Sequence, residues 1–254
     1  MPLLDELSAL GGYFAVETHA AGREPTDGWL PLDALTRTPA ILDERIAGVR
    51  SALAAGAERD PGEIDHRVAA SVAQLGLVAR LVSPVLASGV IGGELLRVEL
   101  PSIWWRPVLG GPYPLSMPEM GSEPLVPSPA DAELRRGLLE FLDATVGAIV
   151  AAVAARSVSS LVLWGNVASA INGSASMLVG ARPELADRTR LLAGWMLEHP
   201  RLRGGFVGQP ASGRGGSSQF QRRSCCLIYR ATDPPSSAYC GDCIHLLPLS
   251  SVLP

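Results

Sequence analysis

The sequence predicts a mainly α-helical fold of the α+β class, in which a helical body carries a small strand insertion. Several long segments repeat apolar residues every three to four positions, which is typical of helices packed on a core. Two segments rich in proline and glycine, 94–126 and 208–219, interrupt this pattern. The chain has 254 residues, of which 47% are hydrophobic and 18% charged. It can therefore bury a sizeable core, and this composition excludes an intrinsically disordered chain.

Six helices are predicted from cap signals and apolar spacing. Thr38 and Ser128 are capping residues, and Pro39 and Pro129 follow them at the first helical position. Pro84 predicts that the third helix stops or kinks just before it. The expected helices cover 3–16, 38–57, 63–83, 128–155, 160–178 and 184–198.

The segment 94–126 predicts a small strand or hairpin insertion. It contains two short extended runs, ELLRVEL at 94–100 and SIWWR at 102–106, followed by a stretch rich in proline and glycine. Trp104 and Trp105 would face opposite sides of the insertion, because neighbouring residues on a strand point in opposite directions.

The second break, 208–219, has the composition of a flexible linker. It separates the helical segments from a tail that holds every cysteine in the chain. We therefore expect a helical domain at 1–207, a Gly/Ser linker at 208–219 and a short C-terminal module at 220–254.

Charge and motif searches exclude several classes of protein. A formal net charge of -4 argues against a dedicated nucleic-acid binder. Every basic residue is arginine, so the Walker A lysine is absent, and neither a dinucleotide-binding glycine motif nor a serine-hydrolase elbow occurs. Asp5 and Glu6 lie where a signal peptide would be positively charged, and the longest apolar runs are too interrupted or too short for a membrane span. We expect a cytoplasmic protein with no nucleic-acid partner and no membrane span.

The four cysteines lie close together near the C-terminus. Cys225 and Cys226 are adjacent, and thirteen residues separate them from the pair Cys240-x2-Cys243. In a cytoplasmic protein, such clustering is more typical of metal or redox chemistry than of disulfides. The adjacent pair is awkward for a zinc knuckle, whereas an iron–sulfur cluster spreads its ligand positions over a larger body. A structural zinc, a reactive dithiol and a ligand swap with His245 remain as alternatives.

Four segments of the sequence resemble motifs of one known family. RRSCCLIYR at 222–230 and YCGDC at 239–243 are similar to the C-terminal [2Fe-2S] motif of the FhuF-type siderophore-iron reductases. LVLWGNVASAINGSASML at 161–178 resembles its Trp-Gly-Asn segment, and IWWRPVLGGPYPL at 103–115 resembles its central tryptophan segment. The loop between the cysteine pairs has thirteen residues where the family pattern has ten, and Ile244 replaces a proline found in many members.

The resemblance implies a cytoplasmic protein that reduces a ferric hydroxamate-type siderophore by one electron and releases Fe(II). It also implies a [2Fe-2S] cluster in the C-terminal module, ligated by Cys225, Cys226, Cys240 and Cys243, which act in catalysis through the cluster. Because the sequence contains no nicotinamide or flavin fingerprint, the electron would come from a separate donor, such as a ferredoxin or a flavin reductase.

The roles of other residues near these motifs have two interpretations each. Arg222, Arg223 and Arg230 flank the cysteines and would stabilise the extra charge of a reduced cluster, or they are solvated arginines. Trp164 and Asn166 would line a siderophore cavity, or Trp164 packs in the core while Asn166 satisfies buried backbone groups. Two other functions also remain open: a non-catalytic helical binding protein with structural zinc in the tail, and an iron–sulfur electron carrier or sensor.

Overall fold

The computed structural model describes residues 2–96, 99–119, 131–212, 219–232 and 239–246. It confirms a mainly helical fold with a small sheet. The helices are α1 (Pro2–Ala9), α2 (Ala34–Arg37), α3 (Pro39–Gly56), α4 (His66–Ile91), α5 (Asp131–Phe141), α6 (Gly147–Ala154), α7 (Ser160–Ala181) and α8 (Ala186–Leu197). The strands are β1 (Glu17–His19), β2 (Leu30–Pro31), β3 (Trp104–Trp105), β4 (Leu115–Pro118), β5 (Phe206–Val207) and β6 (Gln221–Arg222).

Helix α4 is the centre of the core. Almost all of its side chains from Val68 to Val90 are buried, and it packs against α7, α3 and α8. Such a helix carries apolar residues on every face because every face has a neighbour. By length and composition alone, α4 and the helical stretch Asp131–Ala154 could each cross a membrane, but 78% of the apolar window of α4 is buried inside the fold. A core helix passes the same test, so this finding is weak evidence for a membrane span.

The third helix is predicted to stop or kink before Pro84, and the stop is wrong, because α4 continues through this residue to Ile91. A proline inside a helix loses one backbone hydrogen bond and costs about 3 kcal/mol. The helix on both sides of Pro84 is buried in the core, and this burial offsets that cost. The preceding Ser83 also bonds its hydroxyl to the carbonyl of Ala79 at 2.8 Å and lies 2.8 Å from the hydroxyl of Ser174 on α7.

The other predicted helices are largely confirmed, with changes at their ends. The first is wrong beyond Ala9, since Gly11 takes φ +105° and the chain turns away before β1. The helix predicted from Ser128 is interrupted by one π-helical turn at Leu142–Val146, and its predicted cap lies outside the described residues. The last begins at Ala186, after a single 3-10 turn.

The strand insertion forms a four-stranded sheet with two short strands from the N-terminal segment. The strand order is β1-β4-β3-β2, with β1 parallel to β4 and the other pairs antiparallel. Trp105 is buried and Trp104 half-buried, as the predicted alternation requires. The extended run predicted at 94–100 is not a strand where the structure describes it, because Leu100–Ser102 form a 3-10 turn. Residues 97–98 lie outside the described part.

One buried arginine connects this sheet to the core. Arg80 of α4 is 2% exposed. Its guanidinium donates to the carbonyls of Tyr113 at 2.8 Å, Tyr13 at 2.9 Å and Ala15. Burial lowers the pKa of Arg80, and the three carbonyls supply the hydrogen bonds that water would otherwise give. A single side chain thus fixes the N-terminal segment and the loop before β4 onto the central helix.

Candidate metal centre

A short strand pair brings the cysteine tail onto the helical body. β6 pairs antiparallel with β5, so that Arg222 lies opposite Phe206. Next to this pair, the rings of Phe206 and Phe220 stack with their centroids 5.0 Å apart, and Phe220 belongs to the main hydrophobic core. The boundary predicted at residue 207 therefore falls between two paired strands. The predicted linker is described at 208–212 and 219, and its middle lies outside the described residues.

Two tight backbone turns hold the cysteines. The amide of Cys243 donates to the carbonyl of Cys240 at 3.1 Å, which closes the Cys-Gly-Asp-Cys turn. After the adjacent pair, Leu227 takes φ +71°, a left-handed conformation that is uncommon for a leucine. This conformation accompanies a hydrogen bond from the Leu227 amide to the sulfur of Cys225 at 3.3 Å.

The four cysteines are free thiols gathered in one small volume. The sulfurs of Cys226 and Cys240 are 3.6 Å apart. Cys225 shares a hydrogen bond with Cys226 and is also close enough to Cys243 for their charges to interact. The thiols therefore lie close to one another, and they do not surround a central space. Within the described residues, no three His, Cys, Asp or Glu side chains are arranged around a common point as ligands of an ion.

Arg222 is the cation of this site and is completely buried. One terminal nitrogen, Nη2, donates to the sulfur of Cys240 at 2.7 Å, and Nη1 donates to Oδ1 of Asn166 at 2.8 Å. Its Nε lies 3.5 Å from Oδ1 of Asp242. The planar guanidinium therefore connects a cysteine, the turn between two cysteines and helix α7.

Asn166 links Arg222 to the central helix. It is fully buried, and its amide nitrogen donates to Oε1 of Gln74 at 2.9 Å and to the carbonyl of Ser71 at 3.0 Å. The hydroxyl of Ser71 in turn donates to the carbonyl of Cys226 at 2.8 Å. Both amide ends of Asn166 are used in this network, which fixes the tail to α4 and α7 together.

The charged groups and thiols of the site shift one another's pKa values. Burial opposes the charge of Arg222, but the carboxylate of Asp242 and the neighbouring thiols outweigh this effect and raise the pKa of Arg222. The pKa of the Cys226 thiol is lowered by hydrogen bonds from Cys225 and Cys240 and by the charge of Arg222. The pKa values of Cys225 and Cys240 are raised by those same bonds and by burial. Among these thiols, Cys226 is therefore the one whose pKa is lowered.

This set of donors fits a thiolate-bound metal group. Four sulfurs, at Cys225, Cys226, Cys240 and Cys243, suit soft metal ions and iron–sulfur clusters. The buried positive charge of Arg222 would balance part of their negative charge, and the Leu227 amide already donates to the sulfur of Cys225. Binding such a group requires the thiols to release their protons and separate.

The other predicted site residues lie in different surroundings. Arg223 and Arg230 are exposed, and the guanidinium of Arg230 lies over the ring of Tyr229. His245 is exposed and packs against Tyr229 and Tyr239. Of the three arginines beside the cysteines, Arg222 is therefore the one that lies in the buried network.

Trp164 is buried between two cationic or titratable side chains. Its ring stacks on His199 with centroids 5.3 Å apart, and the guanidinium of Arg201 lies 5.8 Å from its centre. His199 in turn lies 3.0 Å from a carboxylate oxygen of Asp143. Trp164 thus packs helix α7 against the end of α8, and its predicted role in binding a siderophore remains a prediction, as does that of Asn166.

The glycine between these two residues allows α7 to approach the cysteine tail. A Cβ atom at Gly165 would lie 1.9 Å from Oγ and 3.3 Å from Cβ of Ser224. Ser224 is buried, directly before the cysteine pair. A side chain at position 165 would therefore push the tail away from the helix.

Replacing Gly165 by alanine is expected to lower the free energy of unfolding by about 1–3 kcal/mol, because overpacking forces neighbouring atoms to shift. Gly173→Ala on the same helix is the matched control, since a Cβ there meets nothing within 4 Å. It should raise the free energy of unfolding by up to about 1 kcal/mol through helix propensity. Chemical denaturation measures both values. Adding Ser224→Gly to Gly165→Ala should restore stability, and equal effects of the two alanines would contradict the close contact.

A cleft of about 490 Å³ lies beside the cysteine turn, between α7 and the tail. Ser169, Asn172 and Ser176 line one side, and Gly241 and Asp242 line the other. A larger cavity of about 740 Å³ lies elsewhere, against α5, and has none of the predicted site residues in its lining. Trp164 and Asn166 line neither of these cavities.

Sequence reasoning missed Ser71, Gln74 and Asp242. Asp242 had a usable signal, because it lies inside the Cys-x2-Cys turn, whereas nothing in the sequence connects α4 with the tail. Comparison of the chain with protein-family models, with curated proteins and with solved structures finds no match.

Proposed function

We propose that this protein is a cytoplasmic ferric-siderophore reductase that holds a [2Fe-2S] cluster on Cys225, Cys226, Cys240 and Cys243. The observation that carries this proposal is a group of four free cysteines, one of which, Cys240, accepts a hydrogen bond from a buried arginine. When bound, such a cluster supplies one-electron chemistry. The resemblance of the tail and of the Trp-Gly-Asn segment to FhuF-type reductases supports the choice of a hydroxamate siderophore as substrate.

Residues around the cysteines favour negative charge at this site. Arg222 holds a fixed positive charge against Cys240, and Asn166 and Asp242 keep the guanidinium in place. The Leu227 amide donates to Cys225. Hydrogen bonds to sulfur and a nearby cation favour the more negative, reduced state of a thiolate-bound centre. Burial of Cys226 and Cys243 keeps water away from part of the site.

One electron is sufficient to release the iron because of the donor atoms that the substrate uses. Hydroxamate oxygens are hard donors that hold Fe(III) strongly and Fe(II) far more weakly. An external donor, such as a ferredoxin or a flavin reductase, gives one electron, the ferric ion becomes Fe(II), and its bonds to the hydroxamate oxygens weaken. The products are Fe(II) and the iron-free siderophore, and no covalent bond of the siderophore is broken.

Anaerobic purification followed by metal, sulfide and spectral analysis tests the proposal. We expect two irons and two sulfides per chain, visible absorption that bleaches with dithionite, and a half-integer-spin EPR signal after reduction. Cys225→Ser and Cys243→Ser should lose the cluster and reduce Fe(II) release from a ferric trihydroxamate to the rate of the reductant alone. Arg223→Met, which changes an exposed neighbour, is the matched control and should keep the cluster.

Two results would overturn the proposal. A colourless protein with one zinc per chain would indicate a binding protein with a structural zinc site. A cluster-bearing protein that releases no Fe(II) from any ferric chelate, with any electron donor, would indicate an electron carrier or sensor. Circular dichroism on each cysteine variant separates loss of the cluster from loss of the fold.

A further inference from the structure

The cleft beside the cysteine turn shares a wall with the candidate metal centre. Gly241 and Asp242 line the cleft, and they are the two residues between Cys240 and Cys243. The turn is closed by the hydrogen bond from the Cys243 amide to the Cys240 carbonyl. A molecule in the cleft would therefore rest against the same four-residue turn that carries two of the thiols.

The opposite wall of the cleft is a face of α7 with little side-chain bulk. Ser169, Gly173, Ser176 and Gly180 are spaced three or four positions apart, so they share one face of the helix. A Cβ at Gly173 or Gly180 meets nothing within 4 Å. The volume of about 490 Å³ lies within the usual range for sites that bind small molecules.

The polar groups of the cleft indicate the charge of its ligand. Asp242 is 7% exposed, and its Oδ2 is buried with no hydrogen-bond partner among the described residues. The remaining polar lining comes from serine, asparagine and glutamine, and the described lining contains no arginine or histidine. A trianionic ligand would find no cation among the described lining residues, whereas an uncharged or cationic ligand with amide groups would find hydrogen-bonding partners.

We propose that this cleft binds the ferric chelate itself, as an uncharged or cationic trihydroxamate complex seated between α7 and the Cys240–Cys243 turn. This inference rests on the proposed reductase function. It places the iron of the substrate next to the thiols, so that the electron crosses only the turn. Asp242 has two roles in this arrangement: its carboxylate holds Arg222, and it disfavours negatively charged chelates.

A redox-inert chelate tests the cleft without relying on turnover. The probe is the gallium(III) complex of a linear trihydroxamate, titrated calorimetrically into the full-length protein purified anaerobically. Ser176→Trp fills the cleft, and Met177→Trp is the matched control, because Met177 is its exposed neighbour and is not in the cleft lining. We expect Ser176→Trp to weaken binding at least about tenfold and Met177→Trp to leave it unchanged.

Gly173→Leu provides a second block of the cleft at a position with open space, in case the tryptophan disturbs the helix. Both blocking variants should also raise KM for Fe(II) release. The gallium(III) complex of a tricatecholate, which carries three negative charges, should bind the unaltered protein more weakly than the trihydroxamate complex.

The results distinguish this inference from the proposed function. Gallium trihydroxamate binding that Ser176→Trp abolishes, in a protein that releases no Fe(II), would support the cleft and overturn the reductase. Fe(II) release with equal KM in Ser176→Trp, Gly173→Leu and Met177→Trp would overturn the cleft and leave the reductase in place. Preferred binding of the tricatecholate would overturn the assigned ligand charge.

Discussion

Replacing Arg222 by methionine is expected to lower the free energy of unfolding by about 3–5 kcal/mol, because it leaves the nearly buried carboxylate of Asp242 without its counter-charge. Asn166 also loses the donor that its oxygen accepts from. Chemical denaturation under anaerobic conditions measures the change. Under the proposed function, iron and sulfide content should fall as well, since Cys240 loses its contact with the guanidinium.

Arg223→Met is the matched control, because it removes an adjacent arginine that is exposed. It should change stability by less than about 0.5 kcal/mol. The double variant Arg222→Met with Asp242→Asn removes both charges and should recover much of the loss. If Arg222→Met costs no more than Arg223→Met, the buried charge network does not stabilise the tail.

Replacing Arg80 by methionine is expected to cost about 3 kcal/mol or more, because three backbone carbonyls lose their donor. Those carbonyls belong to the N-terminal segment and to the residue pair before β4. The sheet should therefore loosen before the helices do. Amide hydrogen exchange should rise at β1 and β4 ahead of the rest, and chemical denaturation measures the total loss.

Arg136→Met controls for the loss of a helical arginine as such. The Arg136 side chain is 67% exposed, and its Nε lies 3.8 Å from a carboxylate oxygen of Glu140. Its removal should change stability by less than about 0.5 kcal/mol. A similar cost for both arginines, or an unchanged exchange pattern in Arg80→Met, would show that the three carbonyls find other partners.

The gathering of the cysteines could be predicted from the sequence, because their spacing is local and the turn between Cys240 and Cys243 is short. Which of Arg222 and Arg223 is buried beside the cysteines could not be predicted from the sequence. The two are adjacent and chemically identical, and the burial of Arg222 depends on pairing between β6 and β5, which the sequence does not indicate. The same limit applies to Asn166, whose partners Gln74 and Ser71 lie 92 and 95 positions earlier.

The helices show where local signals are sufficient. Thr38 and Pro39 locate the start of α3 correctly: Thr38 takes the N-cap position without a capping hydrogen bond from its side chain, and Pro39 follows at the first helical position. Pro84 misleads because its cost is local, whereas the burial that offsets it comes from α7 and other distant neighbours. The pairing of the four-stranded sheet could not be predicted for the same reason, because β1 and β4 are far apart in sequence and pair in parallel.

The contact between Gly165 and Ser224 also limits how this chain can diverge. The helix backbone at Gly165 lies close to the Ser224 side chain, so a larger residue at either position would clash unless the residue at the other position became smaller. Substitutions at the two positions should therefore be inherited together. We expect that a descendant with alanine at 165 carries glycine at 224, and that one with a larger residue at either position has rebuilt the approach of the tail to α7.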